Sequence, residues 1–386
     1  MNIRRATFAL TIGIWTTSGQ AQQIGVSESE ILFGQTAAVQ GPAQALGNGM
    51  RHGILAAFEE TNRKNGVHSR KLKLITLNDG YEPETAIKNT KDLIEGKRVF
   101  ALIGSVGTPT SRASEPIASA AGVPFIGPFT GAEFLRNPYR PTVINVRASY
   151  FQETEEIVDR LRRDLNMRRI AVLYQDDSYG QAGLAGVQRA LKKRNLDLVS
   201  RGTYIRNTTA IKSALLTILK GQPEAVIIIG AYQPSAVFTK WARKLGLRAL
   251  IVNISFVGST ALAAALGPEG KGVAVSQVVP FPEDDSMPLI RDYLQALKAY
   301  NANLAPNFVS LEGYVVGRVT VAALRRAGRN LSRDSFLNVF KTGKPFDLGG
   351  VRLAYGPADN QGLDQVFLTR INSRGQFAPI VRFGRQ

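Results

Sequence analysis

Residues 99–111 read Val-Phe-Ala-Leu-Ile-Gly-Ser-Val-Gly-Thr-Pro-Thr-Ser, and residues 123–132 read Val-Pro-Phe-Ile-Gly-Pro-Phe-Thr-Gly-Ala. Each begins as a short unbroken apolar run, the pattern of a strand covered on both faces. Each then breaks into glycine, proline and hydroxyl-bearing residues. Between them, 111–121 reads as a helix that ends at Gly122. Strand, loop, helix and strand in this order form the unit of a parallel sheet. In such sheets ligands bind beyond the carboxyl ends of the strands. The glycines allow close backbone approach, and hydroxyls with free N–H groups at a helix start can cradle a carboxylate. Ser105, Val106, Gly107 and Thr108, followed by Phe129, Thr130 and Gly131, are therefore the first candidate ligand-binding residues.

The same alternation extends outward in both directions. Strands are expected over 31–37 and 71–77, with helices over 43–62 and 84–95. After Arg147 the pattern restarts, with helices over 151–165, 180–195, 208–219 and 235–245. The strands of this second run fall at 169–174, 197–204, 225–229 and 249–254. The rest holds a strand over 272–279, helices over 288–301, 309–327 and 332–340, and β-like segments at 351–355 and 365–371. Two runs of four or five strands each predict an α/β protein of two similar lobes built on parallel sheets. No Pro/Gly/Ser-rich tether separates them, which implies several close crossings between lobes.

Composition narrows the function. The 386 residues are 44% hydrophobic and 20% charged, ordinary for a globular chain of two domains. Arg4 and Arg5, an apolar run from Ala6 to Trp15 and a small, polar end at Ala21 have the pattern of a secretory signal peptide over 1–21. The apolar run is well short of the ~20 residues that span a bilayer. Cysteine is absent, and His52 and His68 are the only histidines, so disulfides and thiolate or histidine-rich metal centres are excluded. No metal and no cofactor is expected. The net charge of +18 steers anions. The cations are dispersed (Arg160, Arg162 and Arg163; Lys192 to Arg194; Arg325 and Arg326) and read as solvated helix faces, not as a nucleic-acid surface.

Catalytic signatures are missing. Neither G-x-S-x-G nor G-x-x-x-x-G-K-[ST] occurs, and Gly47-Asn48-Gly49-Met50-Arg51-His52-Gly53 places its third glycine one residue late for a dinucleotide loop. Close helix packing is the better account of those glycines. Asp176-Asp177 and Asp284-Asp285 read as loop or cap residues. The second run carries loops that match the first: Tyr174 to Gly180, and Gly230-Ala231-Tyr232-Gln233-Pro234. Tyr179 and Tyr232 at strand ends can cover a ligand with a flat apolar face.

In this order the loops resemble those of type I periplasmic binding proteins of the leucine/isoleucine/valine-binding family. The likeness runs from about Ile31 to Phe377 and rests on Gly41-Pro42, the 101–110 and 122–135 segments, Tyr179-Gly180, the 230–234 loop and Ala242 to Leu247. It implies two Rossmann-like lobes joined by a three-stranded hinge, with crossings near Ala148, Val279 and Leu348. The lobes would then be 22–148 with 280–348, and 149–279 with 349–386. It also implies an exported periplasmic monomer that is not an enzyme, with a small-molecule ligand and an ABC transporter permease as its partners. Thr108 would take the ligand carboxylate, Phe129, Thr130 and Gly131 would supply a second anchor, and Tyr179 and Tyr232 would close over it.

Three departures qualify the likeness. Ser255 stands where amino-acid binders hold the ligand ammonium with an acid, Leu46 replaces a frequent tyrosine, and Gly80 and Gly107 occupy the positions of a common disulfide. An unpaired buried ammonium costs several kcal/mol, so Glu312 or Asp177 would have to substitute. A small carboxylate or amide with an apolar or aromatic body is the expected ligand, walled by Tyr81, Phe129, Tyr179, Tyr232 and Phe256. A sensory module for a membrane receptor or kinase, and an enzyme on the same architecture, are the alternatives.

Overall fold

In the computed structural model, residues 23–384 are described; the signal-like segment 1–21 lies outside the described residues. The first sheet is parallel throughout, with β1 (Glu30–Ala37), β2 (Lys71–Asn78), β3 (Ala101–Ile103), β4 (Phe125–Ile126) and β5 (Val143–Ile144) in the order β2-β1-β3-β4-β5. Helices α1 (Gln44–Arg63), α2 (Pro83–Lys91) and α3 (Thr108–Ala120) connect them. Helix α3 starts at Thr108, earlier than the expected 111. Pro109 fits the first helical turn, where its missing N–H needs no partner.

The second half repeats the plan. Helix α4 (Tyr150–Leu165) leads into β6 (Ile170–Gln175), α5 (Ser178–Lys192), β7 (Ser200–Tyr204), α6 (Lys212–Lys220) and β8 (Ala225–Ile229). Then come α7 (Tyr232–Lys244), β9 (Leu250–Asn253), α8 (Ser259–Leu266) and β10 (Ala274–Gln277). The short strand β5 and helix α8 lie in stretches that the periodicity leaves unassigned. Helices α9 (Pro288–Tyr300), α10 (Phe308–Ala327) and α11 (Arg333–Phe340) follow. A small ribbon comes next, β11 (Phe346–Asp347) with β12 (Arg352–Leu353), and the chain ends in β13 (Phe367–Ile371) and β14 (Phe377–Pro379). The second sheet has the order β14-β13-β10-β9-β8-β6-β7. The five strands from β10 to the β7 edge are parallel, and β13 and β14 add antiparallel at the other edge. It is thus larger than its counterpart by two strands.

Helix α10 returns to the first half and lies directly on α1. A Cβ on Gly53 would come 1.9 Å from the Ser310 carbonyl oxygen, and one on Gly313 would come 2.4 Å from that of Met50. Gly49 and Gly53 therefore serve the contact with α10, while Gly47 lies against the Ala38 backbone after β1. The chain passes between the halves three times: after β5, after β10 and before β13. The first and third passages run side by side, with Asn145 N–H donating to the Asn360 carbonyl at 2.8 Å and Gly362 N–H to that of Asn145 at 3.0 Å. The third passage lies further along than Leu348, because Phe346 and Tyr355 still pack on Phe340 of α11, with centroids 5.3 and 5.0 Å away.

One surface expectation is corrected. Arg160 is buried, held by Asp164 at 2.7 Å, by Glu156 and by the Val381 carbonyl, so that part of α4 is an internal ion pair and not a solvated face.

Candidate ligand-binding site

The loops after β3 and β4 continue the parallel pairing past the ends of their strands. Phe129 N–H donates to the Ser105 carbonyl at 2.8 Å, Gly107 N–H donates to that of Phe129 at 3.2 Å, and Val106 and Phe129 form a parallel bridge. This register sets Thr108 and Thr130 with their hydroxyl oxygens 2.7 Å apart. Gly107 is required here. Its φ is 103°, and a Cβ would come 2.2 Å from the Tyr81 ring. The Tyr150 ring seats on Gly131, and its hydroxyl faces the threonine pair without a hydrogen bond of good geometry.

Four rings meet above this floor, Tyr81 and Phe129 from the first half and Tyr179 and Phe256 from the second, with Tyr150 beside them. Phe256 stands 5.9 Å from Tyr81, 5.3 Å from Phe129 and 4.5 Å from Tyr179, and Tyr150 lies 5.6 Å from Tyr179. All are buried, and burial pushes the Tyr81 and Tyr179 hydroxyls well above the usual tyrosine range, so both stay protonated. Tyr81 adopts a positive φ of 65° and accepts a hydrogen bond from Gln175 Nε2 of the other half at 3.2 Å.

Arg147, Glu153 and Ser276 escaped the sequence reading, which names only Ser255 and Glu312 of this charged group. Arg147 is fully buried in the first passage between the halves, with its guanidinium 4.8 Å from the Phe129 centroid and 5.9 Å from that of Tyr150. It pairs with Glu153 at 3.3 Å and Glu312 at 3.7 Å, and Nη2 also donates to the Ser255 hydroxyl. Glu153 accepts from Ser255 N–H at 2.8 Å, Ser255 Oγ at 2.9 Å and Ser276 Oγ at 2.5 Å. Burial pushes the Glu312 carboxyl up to about 7, against the pull of Arg147. The available signal was a lone cation in the apolar run Val143-Ile144-Asn145-Val146-Arg147-Ala148.

Other candidates fall elsewhere. Tyr232 lies beside the Ala45 backbone and near Gly258, and among the described residues no ring contact joins it to the cluster of four. The Ser255 hydroxyl is turned to Glu153 and Arg147. Asp177 caps α5 through Tyr179 N–H at 2.9 Å and accepts from Gln175 and Arg206, so its carboxylate is already engaged. Ser105 lies buried with no hydrogen bond to its hydroxyl. Among the described residues, no group of three or more His, Asp or Glu side chains could hold a metal ion.

Rings from both halves thus meet over the Thr108–Thr130 pair, and the periplasmic binding protein family model matches residues 30–376. The chain belongs to that family. Leu/Ile/Val-binding protein homolog 3 of Brucella melitensis is 23% identical over 351 residues, covering 90% of each chain. The crystal structure of a possible leucine/isoleucine/valine-binding protein from Rhodopirellula baltica SH 1 superposes with a TM-score of 0.88 at 38% identity, covering 92% of this chain and 97% of that one. A substrate-binding periplasmic protein from Ralstonia solanacearum gives a TM-score of 0.86 at 26% identity, covering 91% and 100%. The family has the two-lobed, parallel-sheet fold described above, and no helix among the described residues is long and apolar enough to cross a membrane.

Proposed function

We propose that this protein is the extracytoplasmic solute-binding component of an ABC importer. It captures a small carboxylate or amide, with an amino acid-like, aromatic or aliphatic body, and performs no chemistry on it. The observation that carries this reading is the Thr108–Thr130 pair beneath rings contributed by both halves. Hydroxyls and the N–H groups at the start of α3 suit a carboxylate, and the rings suit an apolar body. Anchors at Thr108 and Thr130 hold the ligand on the first lobe, and Tyr179 and Phe256 reach it only when the lobes close. A ligand favours the closed form only by its differential affinity for it. The closed surface is what a permease in the inner membrane recognises. Residues 1–21 are the export signal, the binding unit is a monomer, and the lobes divide near Ala148 and Val279.

The test is a thermal-shift screen of amino acids, aromatic acids, short aliphatic acids and amides, followed by small-angle scattering of each hit. A ligand of the folded state raises the melting temperature, and closure lowers the radius of gyration. A hit that raises Tm without compaction sinks the closure reading, and turnover of a hit sinks the assignment as a binder.

A further inference from the structure

Arg147 is the one fully buried guanidinium in the cleft, and its Nε and Nη1 make no hydrogen bond. Its two carboxylate neighbours are not equivalent. Glu153 is held by three donors of the second half besides Arg147. Glu312 comes from α10 of the first half, accepts no hydrogen bond and stands off at 3.7 Å. The Tyr150 hydroxyl faces the threonine pair without a hydrogen bond of good geometry, and α3 begins at Thr108 with no side-chain cap. Arg147 Nε and Nη1 can only donate, and the Tyr150 hydroxyl can donate or accept.

We propose that Arg147, with Tyr150 and the threonine pair, forms the subsite for the carboxylate of a ligand that carries no ammonium group. This rests on the cleft reading above. An ammonium would sit against the guanidinium, whereas a carboxylate can accept from Arg147 Nε and from the Tyr150 hydroxyl. Glu312 is the group the incoming acid disturbs. It is faced by Arg147, Glu153 and Arg136. A second anion beside it raises its proton affinity, so it takes up a proton as the ligand binds. Affinity for the acid therefore rises as pH falls through the range in which Glu312 titrates.

The experiment titrates two matched pairs into the purified protein by calorimetry at pH 6, 7 and 8: 4-methylpentanoate against leucine, and 3-phenylpropanoate against phenylalanine. One acid is expected to bind at least ~10-fold more tightly than its amino acid, gaining up to ~10-fold in affinity per unit fall in pH above 7. Buffers of different ionisation enthalpy should report net proton uptake. Glu312→Gln should abolish the pH slope. Arg147→Lys keeps the charge but not the fork, and should weaken the acid ~10-fold or more with little change in Tm. Tighter binding of the amino acids, or loss of that binding in Glu312→Gln, overturns the proposal and leaves the cleft reading intact. Binding that neither Arg147→Lys nor Thr108→Ala weakens puts the site outside the cleft and ends both readings. Failure of all four compounds to bind overturns the proposal as well.

Discussion

Arg206 Nη2 lies 2.6 Å from Glu82 Oε2, although Arg206 follows β7 of one half and Glu82 precedes α2 of the other. The same guanidinium holds Asp177 of its own half at 3.1 Å. Beside it, Asn207 Nδ2 donates to Glu82 Oε1 at 2.7 Å and to the Gly80 carbonyl at 3.0 Å. These contacts join the two halves beside the Tyr81 ring. They are partly exposed, so each contributes little, about 1 kcal/mol at most. Arg206→Ala should weaken ligand binding about 2–5-fold, mostly through faster dissociation. Stopped-flow fluorescence would check this, and an unchanged off-rate would show that these contacts do not hold the closed state.

Thr108→Ala removes a hydroxyl from the floor and leaves Thr130 without its partner at 2.7 Å. A hydrogen bond to a charged group is worth ~1.5–3 kcal/mol, so calorimetry should read a comparable loss of binding free energy. Retained affinity would remove Thr108 from the site.

Gly53→Ala tests the packing that carries α10, and with it Glu312, to the cleft. The new Cβ would come 1.9 Å from the Ser310 carbonyl and 2.6 Å from Tyr314 N. Backbone on the far side cannot give way cheaply, so the cost should be ~1–3 kcal/mol, seen as a fall of several degrees in Tm. An unaltered melting curve would mean that α1 and α10 sit further apart.

Asp79 predicts a pH dependence of stability. Burial pushes its carboxyl up to about 6 from an ordinary 3.8, despite hydrogen bonds from Tyr81 N–H at 2.8 Å and Thr36 Oγ1 at 2.9 Å. The folded form therefore binds this proton more tightly than the unfolded chain. Its contribution is most favourable below 3.8, falls as pH rises to about 6, and is flat above that. Asp79→Asn should flatten that part of the profile and leave the protein more stable at pH 7, by on the order of 2 kcal/mol. Urea denaturation across pH 4–8 would decide it, and an identical slope in the variant would refute the assignment.

Much of the architecture could be read from local pattern, because strand and helix periodicities repeat over a few residues. The loops at 104–111 and 127–132 were legible as a candidate site for the same reason: a parallel strand ends, and glycines and hydroxyls follow it. Even the meeting of Thr108 with Thr130 follows once β3 and β4 are neighbours. Tyr232 shows the limit. Its loop matches that of Tyr179, but α7 aims it at Ala45 and Gly258.

By itself the sequence determined the parallel α/β plan and the polar strand-end loops, since these follow from short-range periodicity and backbone chemistry. Tertiary structure alone decided the charges. Arg147, Glu153, Ser255, Ser276 and Glu312 are scattered over 166 positions of the chain and converge only where the halves meet. Partner choice for a buried ion depends on which distant elements share its low-dielectric space, and no local pattern records that.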